Sequence, residues 1–266
     1  MENTRSYKSY LKSEYLSIKH STYFHVYDEL FTKYINRNIT FIEIGVLSGG
    51  SLFMWRDFFG PKARIIGIDI NPKAKKWEDY GFEIFIGSQS DSKFLQSLKS
   101  EIGLIDILLD DGGHTYDQQI ITVETLLDNI KDGGLLVVED THTSYMSGFG
   151  PRKYSFINYA KKKIDKINFR FSEFEKDSER RIYSVSFYES FVVLHVNKAA
   201  YIDSKPTTNN GITDLAKDYR NVDLESKLNL LIKILKFLKL TYILKTSYKF
   251  IFLNSIFWFK SKKNFK

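Results

Sequence analysis

The amino-acid sequence predicts an α/β domain: a parallel sheet with helices on both faces, ending in an antiparallel hairpin. Three observations carry this reading. Between Ile39 and Val196, short apolar runs alternate with helical stretches, the pattern of strands buried on both sides of a parallel sheet. The last two runs, Arg181–Tyr188 and Phe191–Val196, are separated only by Glu189 and Ser190, and so short a link joins antiparallel strands. Glycines and acids fall directly after the apolar runs, at the sheet edge where ligands bind in open α/β folds.

In chain order, Ser6–Tyr34 is rich in Tyr and Phe and reads as helical. Residues 1–38 are therefore expected to form an N-terminal helical cap, or lid, over the site. Ile39–Ile44 reads as the first strand and Ser51–Phe59 as a helix. Arg64–Ile70, Phe82–Ile86, Ile105–Leu109 and Gly134–Val138 read as further strands. Tyr116–Ile130 is helical, with Ile120, Val123, Leu126 and Leu127 on one face. Tyr154–Ile167 is another helix, followed by the hairpin. Residues 39–200 form the core. Residues 201–225, polar and containing Pro206 and Gly211, read as a linker, and 226–266 as a basic amphipathic helical tail.

Composition narrows the function. A chain of 266 residues, 43% apolar, can bury one large core with an appendage. It has no cysteine, which excludes disulfides, thiolate metal sites and a cysteine nucleophile. Met1–Lys12 is polar, unlike a secretory signal, and no apolar run is long enough to span a membrane. A cytoplasmic location is expected. Ten lysines and no acid lie between Ser226 and Lys266. They exceed the whole net charge of +7, so the body is mildly acidic and a nucleic-acid partner is not expected. The tail suits peripheral contact with an anionic membrane surface; packing on the domain, or a homo-oligomer contact, are its other readings.

Five motifs carry chemistry. Phe41–Ser51 contains Gly45, Gly49 and Gly50 at a strand-to-helix turn, where glycines let backbone approach a ligand. Its Gly-x-x-x-Gly-Gly spacing differs from that of dinucleotide binders. Asp69 ends the second strand, placed to accept both hydroxyls of a ribose. After the third strand, Ser88 and Gln89 can face an adenine edge, and Asp91 reads equally well as a helix N-cap. Asp110-Asp111-Gly112-Gly113-His114 and Glu139-Asp140-Thr141-His142 follow the fourth and fifth strands. Four carboxylates on one edge repel each other unless something neutralises them; a hard divalent cation, Mg²⁺ or Mn²⁺, would do so, and N-caps and strand-end acids facing water are the other reading. His114, beside these acids, is the candidate general base, because imidazole titrates near neutrality. His142 is a second candidate. His25 is placed to reach the site from the lid, and His20 and His195 are read as structural.

Phe41–Ser51, Trp55-Arg56-Asp57, Gly67–Asn71, Asp110–His114 and Gly133–Asp140 together resemble the Rossmann-like class I S-adenosylmethionine-dependent methyltransferases. More narrowly, they resemble the metal-dependent sugar O-methyltransferases of macrolide and tetracenomycin biosynthesis and their cephalosporin hydroxylase-like relatives. The resemblance runs from about Tyr23 to Val196. It implies that Glu43, Gly45, Gly49 and Ser51 border the methionine part of S-adenosylmethionine, Asp69 holds the ribose, and Ser88 and Gln89 lie on the adenine side. Asp110 touches the cofactor or supports the site. Asp111, Glu139 and Asp140 bind the cation, and His114 deprotonates a sugar hydroxyl. The oligomeric state of the macrolide enzymes does not transfer, because the segment before the first strand is short here. The alternatives are a non-catalytic sugar-binding or scaffold protein and an NAD-dependent oxidoreductase. The glycine spacing disfavours the latter. An iron oxygenase is disfavoured by the lack of a facial-triad pattern.

Overall fold

The computed structural model describes residues 1–168, 181–197 and 207–212, with Lys233, Ile234, Phe237 and Lys262. The chain divides into two units, Met1–Pro206 and Thr207–Lys266. The first holds the sheet and its helices. Apart from the few residues just named, the expected linker and basic tail lie outside the described residues. No helix among the described residues is long and apolar enough to cross a membrane.

Five strands run parallel: β1 (Thr40–Ile44), β2 (Arg64–Asp69), β3 (Glu83–Ile86), β4 (Ile105–Asp110) and β5 (Ile130–Val138). The expected hairpin, β6 (Ile182–Tyr188) and β7 (Phe191–Val196), completes a seven-stranded sheet in the order β3-β2-β1-β4-β5-β7-β6. β7 pairs antiparallel with β5. Ser190, in the two-residue turn, has φ +66°, the sign that tight hairpin turns need. From β1 the chain steps outward to β2 and β3, then returns to place β4 on the other side of β1. A crevice opens where the direction reverses.

Alternate residues of each strand serve opposite faces, as a period of two requires. On one face Phe41, Ile65, Ile107, Leu109, Leu135 and Val193 join a core with the N-terminal helices and α3 (Gly50–Phe59). On the other, Ile42, Ile66, Leu108, Leu136 and Val192 pack beneath α4 (Ser92–Ile102), α5 (Tyr116–Leu126) and α6 (Phe156–Asn168). The two earlier helices are α1 (Arg5–Lys12) and α2 (Tyr23–Phe31). Thr4 caps α1, Asp91 caps α4 through the N–H groups of Lys93 and Phe94, and Thr115 and Gln118 form a capping box on α5. The N-cap reading of Asp91 is thus the one the backbone adopts.

The N-terminal segment is more deeply built in than a detachable lid. Tyr27 and Phe31 are fully buried, with Tyr27 edge-on to Trp55 and to Phe191. Ser9 and Lys12 of α1 both bond Asp57 of α3, at 2.7 and 2.9 Å. The loop 13–22 between the two helices borders the clefts at the strand ends through Ile18, His20 and Thr22. His25, placed over the site by the sequence reading, instead sits 2.8 Å from the Met1 amino nitrogen, because the helical repeat turns it off the face that carries Tyr23 and Tyr27.

Candidate active site

The carboxyl ends of the strands converge on a cleft of about 630 Å³, lined by Gly45, Asp69, Ser88, Gln89, Asp111 and His114 among others. Backbone packing shapes its floor. Gly45 has φ +92°, and a Cβ there would lie 2.0 Å from the Asp111 carbonyl oxygen. Asp69 braces the glycine turn: its Oδ2 accepts from Val46 N at 2.8 Å and Leu47 N at 3.2 Å, and its Oδ1 from Asn71 N at 2.7 Å. A carboxylate with three N–H donors is fixed in place and, of its roughly four lone pairs, keeps one free.

Gln89 is also oriented before any ligand arrives. Its Nε2 donates to Asp110 Oδ1 at 2.6 Å and Thr122 Oγ1 at 3.0 Å, and its Oε1 accepts from Gly113 N at 3.1 Å. Asp110 is buried behind it, and burial pushes its carboxyl up to about 7. It bonds Gln89 and, at 3.3 Å, the N–H of Gly112, and is not among the residues that line the cleft. Ser88 lies on the cleft wall as expected.

Three expected cofactor contacts sit behind that wall instead. Glu43 is wholly buried; Ser51 Oγ donates to it at 2.6 Å and Trp55 Nε1 at 3.0 Å. Ser51 faces Glu43, not the cleft. Gly49, with φ +85°, has the Trp77 indole where a Cβ would stand. Leu47 and Ser48 of the same turn line the cleft in their place.

Burial raises Glu43 to about 7, against an ordinary value of 4.5, and Lys19 nearby opposes the rise only in part. Between those two values the folded chain keeps a proton that the unfolded chain has lost, so stability falls as pH rises through this window and the full penalty is present above it. At about 1.36 kcal/mol per unit, this one group contributes roughly 3 kcal/mol of loss. Glu43→Gln, which carries no charge and can still bond Ser51 and Trp55, is expected to flatten this decline. Urea midpoints from pH 5 to 8 check it; a variant slope equal to the wild-type slope refutes it.

The acids after β4 and β5 meet over the cleft. Ligand atoms of Asp111, His114 and Asp140 all lie within 4.8 Å of one another. His114 Nε2 is 3.5 Å from Asp140 Oδ2, and His114 Nδ1 is buried with no hydrogen-bond partner among the described residues. Both residues hold left-handed backbone, φ +59° and +55°, which is rare outside glycine and gathers at functional sites. Tyr23 donates its hydroxyl to Asp140. Glu139 is buried and accepts from Tyr27 at 2.7 Å.

Lys19, a residue that no sequence motif singles out, reaches into this cluster from the loop 13–22. Its amine bonds Asp111 and lies 3.2 Å from Glu139 Oε1 and 4.0 Å from Glu43 Oε1, with 1% of the side chain exposed. Burial works against an ammonium here, but Asp111 and Glu139 outweigh it and hold the amine protonated. Burial also raises both acids, an effect that Lys19 offsets only in part.

A second cleft, of about 720 Å³, lies beyond Asp140 and is lined by His20, Tyr23, His142, Tyr145, Phe187 and Tyr188 among others. His20, read as structural, belongs to this wall, with its ring 5.7 Å from that of His142. His195 is structural as expected, its Nε2 2.9 Å from Ser186 Oγ within the hairpin.

The sheet order, the terminal hairpin and the cleft at the strand ends are those of the class I methyltransferase fold, which the chain adopts. Residues 42–141 match the family described as a methyltransferase domain. The chain is 31% identical over 212 residues to the mycinamicin VI 2''-O-methyltransferase of Micromonospora griseorubida, covering 74% of this chain and 51% of that protein. It is 36% identical over 132 residues to the 8-demethyl-8-(2-methoxy-alpha-L-rhamnosyl)-tetracenomycin-C 3'-O-methyltransferase of Streptomyces olivaceus, covering 47% of this chain and 33% of that one. The solved structure of MycE methyltransferase from the mycinamycin biosynthetic pathway, in complex with Mg, SAH and mycinamycin VI, aligns at a TM-score of 0.64 and 27% identity, covering 77% of this chain and 57% of that one. The chain spans about half or less of the length of these two curated relatives.

Proposed function

We propose that this chain is an S-adenosylmethionine-dependent O-methyltransferase that uses a divalent cation and acts on a hydroxyl of a sugar, whether nucleotide-activated or part of a glycan or glycoside. One observation carries the reading. The cleft braced by Asp69 and Gln89 shares its wall, Asp111 to His114 and Asp140, with the acidic cluster, so a methyl donor and an activated hydroxyl would meet there. Sugar O-methyltransferases among the relatives support the substrate class.

The residues fit both groups. Asp111, Glu139 and Asp140 offer hard oxygen donors of the kind Mg²⁺ and Mn²⁺ take. Asp111 and Glu139 already share one positive charge, that of Lys19. These three would hold the cation, and Asp69, Gln89 and the turn at Gly45 would hold the cofactor. When bound, the cofactor supplies an electrophilic methyl group and the cation makes a nearby hydroxyl more acidic. His114 takes the hydroxyl proton at Nε2, and Asp140 beside it stabilises the imidazolium that forms. The aromatic cleft presents flat apolar faces with polar tips, which suits a ring that is apolar on its C–H face and polar at its hydroxyls. A ring seated there would lie against His142, whose Nδ1 is 3.8 Å from Asp140 Oδ1, and a hydroxyl reaching past Asp140 toward His114 would be positioned for transfer.

Calorimetric titration of the metal-stripped protein with S-adenosylhomocysteine, without and then with Mn²⁺, tests the reading. Binding is expected in the wild type. Asp69→Ala removes the brace of the turn and is expected to weaken binding at least ten-fold, about 1.4 kcal/mol. No heat under either condition sinks the proposal.

A further inference from the structure

Lys19 is the one cation at the heart of the acidic cluster among the described residues. It is a long side chain, almost wholly enclosed, and it ends between Asp111 and Glu139 with Glu43 at 4.0 Å. Charge balance explains why it is tolerated. Buried carboxylates without a counter-ion are strongly disfavoured, and here Glu43, Asp111 and Glu139 lie around one ammonium. The same two acids, with Asp140, form the set assigned above to a divalent cation. Two positive charges cannot share that space, since at a few ångströms in a poorly solvated site their repulsion is large.

We propose that Lys19 is a built-in counter-cation that occupies the divalent site and must withdraw when Mg²⁺ or Mn²⁺ binds. The exchange leaves the acids with a counter-charge in both states: one ammonium before, one metal ion after. It lowers apparent metal affinity, because the ion must displace a satisfied ion pair.

The placement of Lys19 links the exchange to the cofactor cleft. Its loop is anchored upstream, where Leu16 O accepts from Gly50 N at 3.3 Å and the Tyr15 ring packs 4.5 Å from Trp77. Ile18, its neighbour in sequence, is exposed and lines the cleft braced by Asp69. Withdrawal of Lys19 therefore moves a residue on the rim of the cofactor cleft. Lys19 is a positioning residue; it touches the metal ligands and not the reacting atoms.

The inference rests on the cation reading above, and the test separates the two. Mn²⁺ is titrated into the metal-stripped wild type and Lys19→Met, with free Mn²⁺ followed by electron paramagnetic resonance and folding checked by circular dichroism. Lys19→Met is expected to bind Mn²⁺ at least ten-fold more tightly. Binding by the variant alone overturns the exchange, since the lysine of the wild type then never yields its place to the ion. Equal or weaker binding by a folded variant overturns the competition and leaves the cation reading standing. No binding by either protein overturns both.

Should Lys19→Met not fold, the wild type gives the answer through amine reactivity. Reductive methylation, read by mass spectrometry, is expected to spare Lys19 in the metal-free protein and to label it when Mn²⁺ is present. Unchanged labelling overturns the proposal.

Discussion

Replacing His114 with alanine is expected to lower kcat by about 10²–10⁴-fold, the usual contribution of a positioned general base, while affinity for S-adenosylhomocysteine stays within a few-fold of wild type. The separation follows from geometry. The imidazole sits on the cleft wall beside Asp140 and makes no hydrogen bond through Nδ1 among the described residues, so its loss should not unmake the cofactor contacts proposed for Asp69 and Gln89. Its backbone is left-handed, φ +59°, and alanine there brings a conformational cost of its own. Asparagine tolerates that region far better but cannot take a proton near neutrality. His114→Asn is therefore the companion variant: both substitutions should lose turnover, and only alanine should lose measurable stability. Either variant retaining a rate within a few-fold of wild type removes His114 from the base role. The readout is methyl transfer to a panel of sugar acceptors, with calorimetry for the cofactor.

The parts of this site that could be read from sequence are those governed by short-range rules. Buried parallel strands give continuous apolar runs, so the ends of β1, β2, β4 and β5 marked where Gly45, Asp69, Asp110–His114 and Glu139–Asp140 would lie. Direction within the edge was less legible. Glu43 was expected at the methionine end of the cofactor, yet it turns to Ser51 and Trp55. A signal existed: those two donors are four residues apart on α3 and so share one helix face. Lys19 and His20 left no such trace. Each is a single polar residue in an irregular loop, and its role arises from chain closure, with Lys19 meeting a carboxylate 92 residues away. The aromatic N-terminal segment is ambiguous in a similar way: Tyr and Phe at helical spacing suit a lid and a core equally, and only the face they meet decides.

Gly45→Ala is expected to be the most damaging single methyl group in the site. Two effects add. At φ +92° a residue with a Cβ is disfavoured by about 1–2 kcal/mol. The Cβ would also stand 2.0 Å from the Asp111 carbonyl oxygen, 2.8 Å from its carbon and 3.0 Å from the Gly112 Cα. All three are backbone atoms, so no side chain can swing aside, and overpacking adds roughly 1–3 kcal/mol. Relief requires the ends of β1 and β4 to part, although they are held by Asp111 N bonding Ile44 O at 2.9 Å, and the end of β1 is also tied to β2 by Gly45 N bonding Ile68 O at 2.8 Å. The expected result is a Tm lower by roughly 10 °C, with loss of both cofactor and Mn²⁺ binding, because Asp111 and the turn carrying His114 shift together. Gly81→Ala supplies the control. Gly81 is also left-handed, φ +79°, but a Cβ there would meet nothing within 4 Å, so only the backbone cost of about 1–2 kcal/mol applies and ligand binding should be untouched. If the two variants lose the same stability and both still bind S-adenosylhomocysteine, the close approach of the turns after β1 and β4 does not hold the site together, and the cofactor turn and the acidic cluster are not coupled through it.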